Sequence, residues 1–162
     1  MKKIIVVFLL ILVLVASACD PPKFYHKDLS NEIESIQIIN YNTDRNELTS
    51  NTFKGYSNWH ESLKQFDFEK VEIIKDLPSE NLNDFAFKLS KIFIVANSNF
   101  LIEPIGVSIM INFLDGSFEI ISCYEKFGIM AIYDKNGFPI EFIGDMDPYI
   151  FNNLVDYCLN NS

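Results

Sequence analysis

Few side chains in this chain of 162 residues have the types and spacing that catalysis or metal binding requires. The two histidines, His26 and His60, both lack the histidine four residues away that a zinc-binding helix has. Ser117 follows Gly116 in a predicted hairpin turn, where both residue types are expected for backbone reasons, and not in a nucleophile elbow. The sequence therefore predicts no enzyme, no metal site and no cofactor.

Two acidic segments have a simpler explanation than chemistry. Asp134-Lys135-Asn136-Gly137 carries its glycine at the fourth place, whereas a calcium loop has glycine at the sixth and glutamate at the twelfth. A hairpin turn accounts for this segment better. Asp145 and Asp147 could act as an acid–base pair, but Asp147 stands directly before Pro148 and predicts the N-cap of a helix.

Aromatic side chains in a polar connection are the main candidates for binding. The stretch 42–65 is rich in asparagine, serine and threonine and contains four candidate residues, Phe53, Tyr56, Trp59 and His60. Aromatic rings on a polar loop favour a recognition surface, because they bring a large contact area at low entropic cost. The alternative is a short helix that starts near Trp59 and Leu63, is capped by Ser57, and closes one end of the core.

The N-terminus has the pattern of a secretory signal peptide. Lys2 and Lys3 precede twelve uninterrupted apolar residues, Ile4–Val15, and small residues follow before Cys19. A transmembrane helix needs about 20 apolar residues, and Asp20-Pro21-Pro22 ends this run earlier. Residues 1–18 are therefore predicted to be a cleaved signal.

The segment Ala16-Ser17-Ala18-Cys19 resembles the lipobox of bacterial lipoproteins, with Ala16 where that family most often has leucine. The resemblance implies that Cys19 is diacylglycerated, typically with palmitate, and that the chain is anchored at the extracytoplasmic face of the cell membrane. It covers residues 1–20 only, and the residues of the mature domain do not identify a family. The alternative is an ordinary cleaved signal that a cysteine happens to follow.

The charge of the chain limits its partners. The formal net charge is −9 and becomes −11 once residues 1–18, which carry two lysines and no acidic residue, are removed. Such a charge excludes a nucleic-acid partner and favours a basic protein or peptide. Residues 19–32 are polar, contain two prolines and are predicted to be a lipidated tether, which lets the single domain 33–162 stand off an anionic bilayer.

Apolar periodicity predicts strands first and a helix after them. Ile33–Tyr41 and Phe66–Lys75 are strand candidates, with Val71 and Ile73 on one face of the second. A helix begins at Pro78-Ser79 and ends near Val95. Its apolar stripe consists of Leu82, Phe85, Leu89 and Ile92.

Two hairpins and a C-terminal helix complete the prediction. Asp115-Gly116 and Asn136-Gly137 are predicted turns, and Pro139 predicts that the last strand lies at a sheet edge. The C-terminal helix has an apolar face of Phe151, Leu154, Val155 and Cys158. The order β-β-α-β-β-β-β-α predicts an α+β domain in which an antiparallel sheet of about six strands packs with two helices.

A two-residue loop at Asp115-Gly116 would also set which residues face each other. Phe113 would pair with Phe118, Ile111 with Ile120, and Ile109 with Ser122, leaving a second face that is only half buried or covered by something smaller. Cys123 would then point away from the apolar face. Cys158 lies on a core-facing helix stripe, so two separately buried thiols are favoured over a Cys123–Cys158 disulfide.

These features together predict a membrane-anchored, acidic lipoprotein that binds another protein, in the manner of an immunity-type or inhibitor-type module. Two alternatives remain from the sequence. The first is an accessory or structural subunit of a cell-envelope assembly, docked through the hairpin or the edge strand near Pro139. The second is a domain that binds a small molecule between sheet and helix.

Overall fold

The computed structural model describes residues 23–24, 32–43, 65–94, 104–124, 127–144 and 146–161. Within these ranges lie two helices, α1 (Leu82–Ser90) and α2 (Pro148–Asn160). The described strands are β1 (Lys23–Phe24), β2 (Ile33–Tyr41), β3 (Val71–Asp76), β4 (Phe93–Ile94), β5 (Gly106–Phe113), β6 (Phe118–Tyr124), β7 (Phe127–Tyr133) and β8 (Pro139–Gly144). Short 3₁₀ turns at Phe68–Lys70 and Ser79–Asn81 precede β3 and α1.

Six of the strands form one antiparallel sheet in the order β3-β2-β5-β6-β7-β8. Strands β5 to β8 form a meander, and β2 lies between β3 and β5. The α+β class, the six-stranded antiparallel sheet and the two helices confirm the sequence prediction. Strand β8 lies at one end of this order, as Pro139 predicts, because a proline cannot donate to a second neighbouring strand.

Both helices pack on the same face of the sheet. Phe85 and Leu89 of α1 and Leu154 and Cys158 of α2 share one buried cluster with the sheet residues Ile36, Ile38, Ile109, Ile111, Phe113, Ile121 and Met130. These are the apolar stripes that helical periodicity predicts. Neither of the described helices is long and apolar enough to cross a membrane.

Local signals set where the helices begin and end. Asp147 Oδ1 accepts a hydrogen bond from Tyr149 N at 2.7 Å, and Pro148 occupies the first turn of α2, which confirms the predicted cap. Helix α1 ends at Ser90 and not near Val95. The residues beyond it form β4, because Phe93 and Ile94 pair with the short strand β1.

Strand β1 lies within the segment that the sequence predicts to be a tether. Lys23 pairs with Ile94 and Phe24 with Phe93 in an antiparallel ladder. Two residues of the predicted tether are therefore attached to the domain. Only three residues lie between Cys19 and Lys23, and the four Cα–Cα steps from one to the other span at most about 14 Å.

The register of the β5–β6 hairpin differs from the prediction. Gly116 N donates to Phe113 O at 2.9 Å and Phe113 N donates to Ser117 O at 2.9 Å, so the loop is Leu114-Asp115-Gly116. Gly116 has φ +83°, the left-handed conformation that the third residue of such a loop adopts. A loop of three residues, where the sequence predicted two, shifts every pair by one position.

The shift changes which side chains share a face. Ile109 pairs with Ile121, Met110 with Ile120, and Ile111 with Glu119. Ile111 therefore faces the helices, whereas Ile120 lies in a second buried cluster on the other face. The predicted pairing of Ile111 with Ile120 is wrong. The second face is buried under a small cluster that includes Phe66, which is the alternative of a smaller cover and not that of a half-buried face.

Candidate binding surface

The residues predicted to carry function lie mostly outside the described part of the chain. Cys19, Phe53, Tyr56, Trp59 and His60 all fall there. Lipid attachment at Cys19 and partner binding by the loop aromatics therefore stay predictions. The described residues contain other features of functional interest, which the sequence did not single out.

Cys123 and Cys158 are both reduced thiols in the structure. Cys158 is buried between the helices and the sheet, and Cys123 packs half-buried against the same cluster. The prediction that Cys123 points away from the face on which Cys158 packs is wrong, because the shifted register of β6 places Cys123 on the helix-covered face. Burial raises the pKa of the Cys158 thiol from its ordinary value of 9.0 to about 12, although the nearby Lys75 opposes this rise.

The polar residues inside the sheet serve the backbone. Ser108 and Ser122 are fully buried, and their hydroxyl oxygens lie 3.0 Å apart. Ser122 Oγ also accepts a hydrogen bond from Ile105 N at 3.1 Å. These contacts tie the residue before β5 to β6, so neither hydroxyl is placed as an exposed nucleophile.

A second buried polar residue is Glu119, which is 0% exposed. It pairs with Ile111 and Ile132 across the ladder and so shares their face of the sheet. The two-residue loop would have paired it with Asn112 on the half-buried face. Among the described residues, no group of three or more histidine, cysteine, aspartate or glutamate side chains could hold a metal ion.

The segment Gln65–Lys70, here called the aromatic strap, crosses the face of the sheet that the helices leave open. Its start is bound to the β7–β8 turn: Phe66 N donates to Gly137 O at 2.8 Å, and Gln65 Nε2 donates to Asn136 O at 3.0 Å. A Cβ on Gly137 would lie 2.6 Å from Phe66 O, so this close approach requires glycine. The strap then reaches β2, where Asp67 N donates to Tyr41 Oη at 3.0 Å.

Aromatic rings hold the strap against the sheet. The ring centroid of Phe66 lies 5.0 Å from that of Tyr41, 5.0 Å from that of Phe118 and 5.6 Å from that of Tyr133. Tyr41 and Phe118 pair with opposite ends of β5, about 20 Å apart along a flat strand. One ring can contact both only because the sheet is strongly coiled around it.

The strap ends in a partly exposed ring that leads into the edge strand. Phe68 packs edge-to-face on Phe66 and Phe118 with centroids 5.1 and 5.3 Å away, yet it remains 46% exposed. Three residues later β3 begins, and its side chains Ile73 and Ile74 are 55% and 49% exposed.

Strand β3 is the end of the sheet opposite β8, and among the described strands it has a neighbour on one side only. Asn42 N donates to Lys70 O and Leu77 N donates to Ile36 O, both at 2.9 Å. Hydrogen-bonded and non-hydrogen-bonded pairs alternate along an antiparallel ladder. Lys70 and Leu77 are therefore in hydrogen-bonded pairs with β2, and the neighbouring Val71 and Asp76 are not. The same alternation makes Glu72 hydrogen-bonded and Ile73 not. The N–H and C=O groups of Val71, Ile73 and Asp76 thus point away from β2.

The charge beside these outward groups is mainly negative. Glu69, Glu72 and Asp76 are exposed on or next to β3. Asp76 Oδ1 accepts a hydrogen bond from Gln37 Nε2 at 2.7 Å and stays at the surface. Lys75, the basic residue of this strand, instead donates to the Leu159 carbonyl oxygen near the end of α2. We call the outward side of Val71–Asp76, with these acids, the β3 edge.

The two ends of the sheet differ in how they meet solvent. Strand β8 begins with Pro139, and its pairing with β7 shifts register twice. Proline and bulges are features by which proteins prevent pairing at an exposed edge. Strand β3 contains no proline and shifts register once, at Ile74, so Val71–Ile73 remains regular. The described structure therefore offers β3 as the better edge for backbone pairing.

No family model matches this chain, and neither the curated proteins nor the solved structures contain a match to it.

Proposed function

We propose that this chain is a membrane-anchored bacterial lipoprotein whose acidic domain binds a basic protein or peptide at the extracytoplasmic face of the cell membrane. The observation that carries the proposal is the lipobox-like segment ending at Cys19, followed by a mature chain of formal charge −11. A cleaved signal with a lipid anchor supports a location at the extracytoplasmic face of the membrane, and the negative charge supports a basic partner.

The positions of several described polar side chains support a binding role. The carboxylates of Asp134 and Asp147 accept hydrogen bonds from turn and helix-start N–H groups, and the hydroxyls of Ser108 and Ser122 bond each other inside the sheet. The described acids near β3 are instead exposed. Exposed acids beside apolar side chains support association, in which the charge mainly speeds and orients the encounter.

The anchor would hold the domain close to the bilayer. A lipid on Cys19 leaves at most about 14 Å of chain before β1, which is paired with β4. This reach is much shorter than that of a free tether over residues 19–32. A partner bound by the domain would then meet it near the membrane surface, where basic segments are themselves concentrated by anionic lipids.

The test uses the native lipidated protein, purified from membranes in nonionic detergent together with whatever it binds. We expect a partner of basic composition that is retained at low ionic strength and released at about 0.5 M salt, where the Debye length falls below about 5 Å. Cys19→Ser is the matched control for the anchor: it should abolish labelling by a fatty-acid probe and leave the chain unprocessed or released.

Two outcomes would contradict the proposal. If the Cys19→Ser variant still incorporates the probe and stays on the membrane, the anchor is wrong. If the partner stays bound at about 0.5 M salt, the association does not depend on charge. That second result would instead favour an accessory subunit of an envelope assembly.

A further inference from the structure

We propose that the β3 edge binds an extended basic segment of the partner by strand addition, so that the partner becomes a seventh strand of the sheet. This inference rests on the proposed function and assigns it a site. The groups that carry it are the outward backbone of Val71, Ile73 and Asp76, the exposed side chains of Ile73 and Ile74, and the flanking acids.

Strand addition needs backbone groups that point outward and side chains that can be covered. The alternation of the β2–β3 ladder directs the N–H and C=O groups of Val71 and Ile73 away from β2. An extended segment beside them can form main-chain hydrogen bonds, as in other cases of strand addition. Two adjacent isoleucines, each about half exposed, provide apolar area for its side chains.

Charge decides between the occupants of this edge. A second copy of the chain would bring an edge with three exposed acids, Glu69, Glu72 and Asp76, against an identical edge, which disfavours a dimer even though the half-buried Lys70 lies beside them. The Lys75 ammonium contacts the C-terminal end of α2 and so does not offset these acids at the outward side. A segment rich in lysine or arginine complements the β3 edge, whereas an acidic segment would be repelled.

The experiment measures binding of fluorescent peptides to the full lipidated chain in zwitterionic detergent micelles, which do not bind basic peptides by charge. The probes are a capped Lys-Val repeat of eight residues, the same peptide methylated on alternate backbone nitrogens, and a Glu-Val repeat. We expect the first to bind and the other two to bind at least about tenfold more weakly, because they lose strand pairing or charge complementarity.

Matched variants locate the site. Ile73→Lys and Ile140→Lys make the same change at opposite ends of the sheet, and the two isoleucines are 55% and 50% exposed. We expect Ile73→Lys to weaken binding of the Lys-Val peptide about tenfold and Ile140→Lys to leave it within about twofold. Ile73→Pro removes an outward N–H without touching the bonds to β2, and it should abolish binding while the circular dichroism spectrum is retained.

A backbone readout separates strand addition from simple charge attraction. Peptide binding should slow hydrogen exchange at the amides of Val71 and Ile73. If the methylated peptide binds as well as the parent, or both lysine variants weaken binding equally, the edge assignment is wrong, and salt-sensitive capture of the basic partner keeps the proposed function. If neither the peptide nor a basic partner binds, both are wrong.

Discussion

Paired substitutions in the β5–β6 hairpin can distinguish the register of the structure from the register of a two-residue loop. In the structure Ile111 and Ile120 lie in different buried clusters on opposite faces, whereas Ile109 and Ile121 are directly paired on the same face. With the two-residue loop, Ile111 and Ile120 would be direct partners. The energetic coupling within each pair therefore reports the register.

The size of each effect follows from burial. All four isoleucines are at most 1% exposed. Truncation to alanine removes about three methylene equivalents, or about 2.4 kcal/mol at roughly 0.8 kcal/mol each, and leaves a cavity that adds about 1 kcal/mol. Each single substitution should thus lower the free energy of unfolding by about 3 to 4 kcal/mol. Both faces of the sheet carry a cost, because both are buried.

The couplings should differ between the two pairs. We expect the free energies for Ile111→Ala and Ile120→Ala to add within about 0.5 kcal/mol, because the sheet separates the two sites. Ile109→Ala and Ile121→Ala should deviate from additivity by about 1 kcal/mol, because each side chain packs against the other. Urea unfolding followed by circular dichroism gives the four free energies, with sulfate added so that the double variants stay folded.

The opposite pattern would refute the register. Coupling of about 1 kcal/mol between Ile111 and Ile120, with none between Ile109 and Ile121, would show that the hairpin pairs as a two-residue loop requires. Near-zero costs at Ile120 alone would show that the second face is not buried.

Four further predictions test other parts of the structure. Asp147→Ala should lower the free energy of unfolding by about 1 kcal/mol in urea titrations, because it removes the cap of α2, whereas Asp147→Ser should restore most of it. Gly137→Ala should lower the free energy of unfolding more than Gly116→Ala. Both residues have positive φ, which penalises alanine by about 1–2 kcal/mol, but only at Gly137 would a Cβ also clash with backbone. Equal losses in urea titrations would contradict the contact between Gly137 and the strap. The pKa of Cys158 is about 12 in the folded chain against an ordinary value of 9.0, so above a pH of about 9 the folded chain keeps a proton that the unfolded chain loses. The free energy of unfolding should therefore fall as the pH rises above about 9. If the urea midpoint of Cys158→Ala falls between pH of about 8 and 10.5 as much as that of the unsubstituted chain, this prediction is wrong. If the loop of Trp59 is a recognition surface, Trp59→Ala should change stability by about 0.5 kcal/mol or less but weaken partner capture by about 2 kcal/mol; early unfolding with normal capture would instead support the core-closing alternative.

Turns illustrate how a local signal can be right in kind and wrong in consequence. Asp115-Gly116 and Asn136-Gly137 both lie in hairpin turns, as predicted. The first loop nevertheless contains one residue more than predicted, since Phe113 and Ser117 close it, and the second loop, closed by Asp134 and Phe138, also has three residues. Turn residues indicate where the chain reverses, but both loop lengths accept glycine at their last position, so composition alone does not select between them.

The β3 edge could be predicted only in part. The sequence predicted a strand containing Val71 and Ile73, but it started that strand at Phe66 and gave no sign that Ile73 would be exposed. Phe66 and Phe68 belong instead to the aromatic strap, whose position depends on contacts with Gly137, 71 residues away from Phe66. A pattern of alternating residues carries no information about which strand ends a sheet.

The sequence by itself determined the features that depend on neighbouring residues. These are the acidic charge, the α+β class, the apolar stripes of both helices, the Asp147 cap and the edge position of β8. Only the tertiary structure decided the features that join distant residues: the hairpin register, the pairing of β1 with β4, the strap across the coiled sheet and the exposed β3 edge. The physical reason is that one residue of loop length reverses every side chain of a strand, and that pairing between distant segments depends on how the whole chain buries its apolar surface.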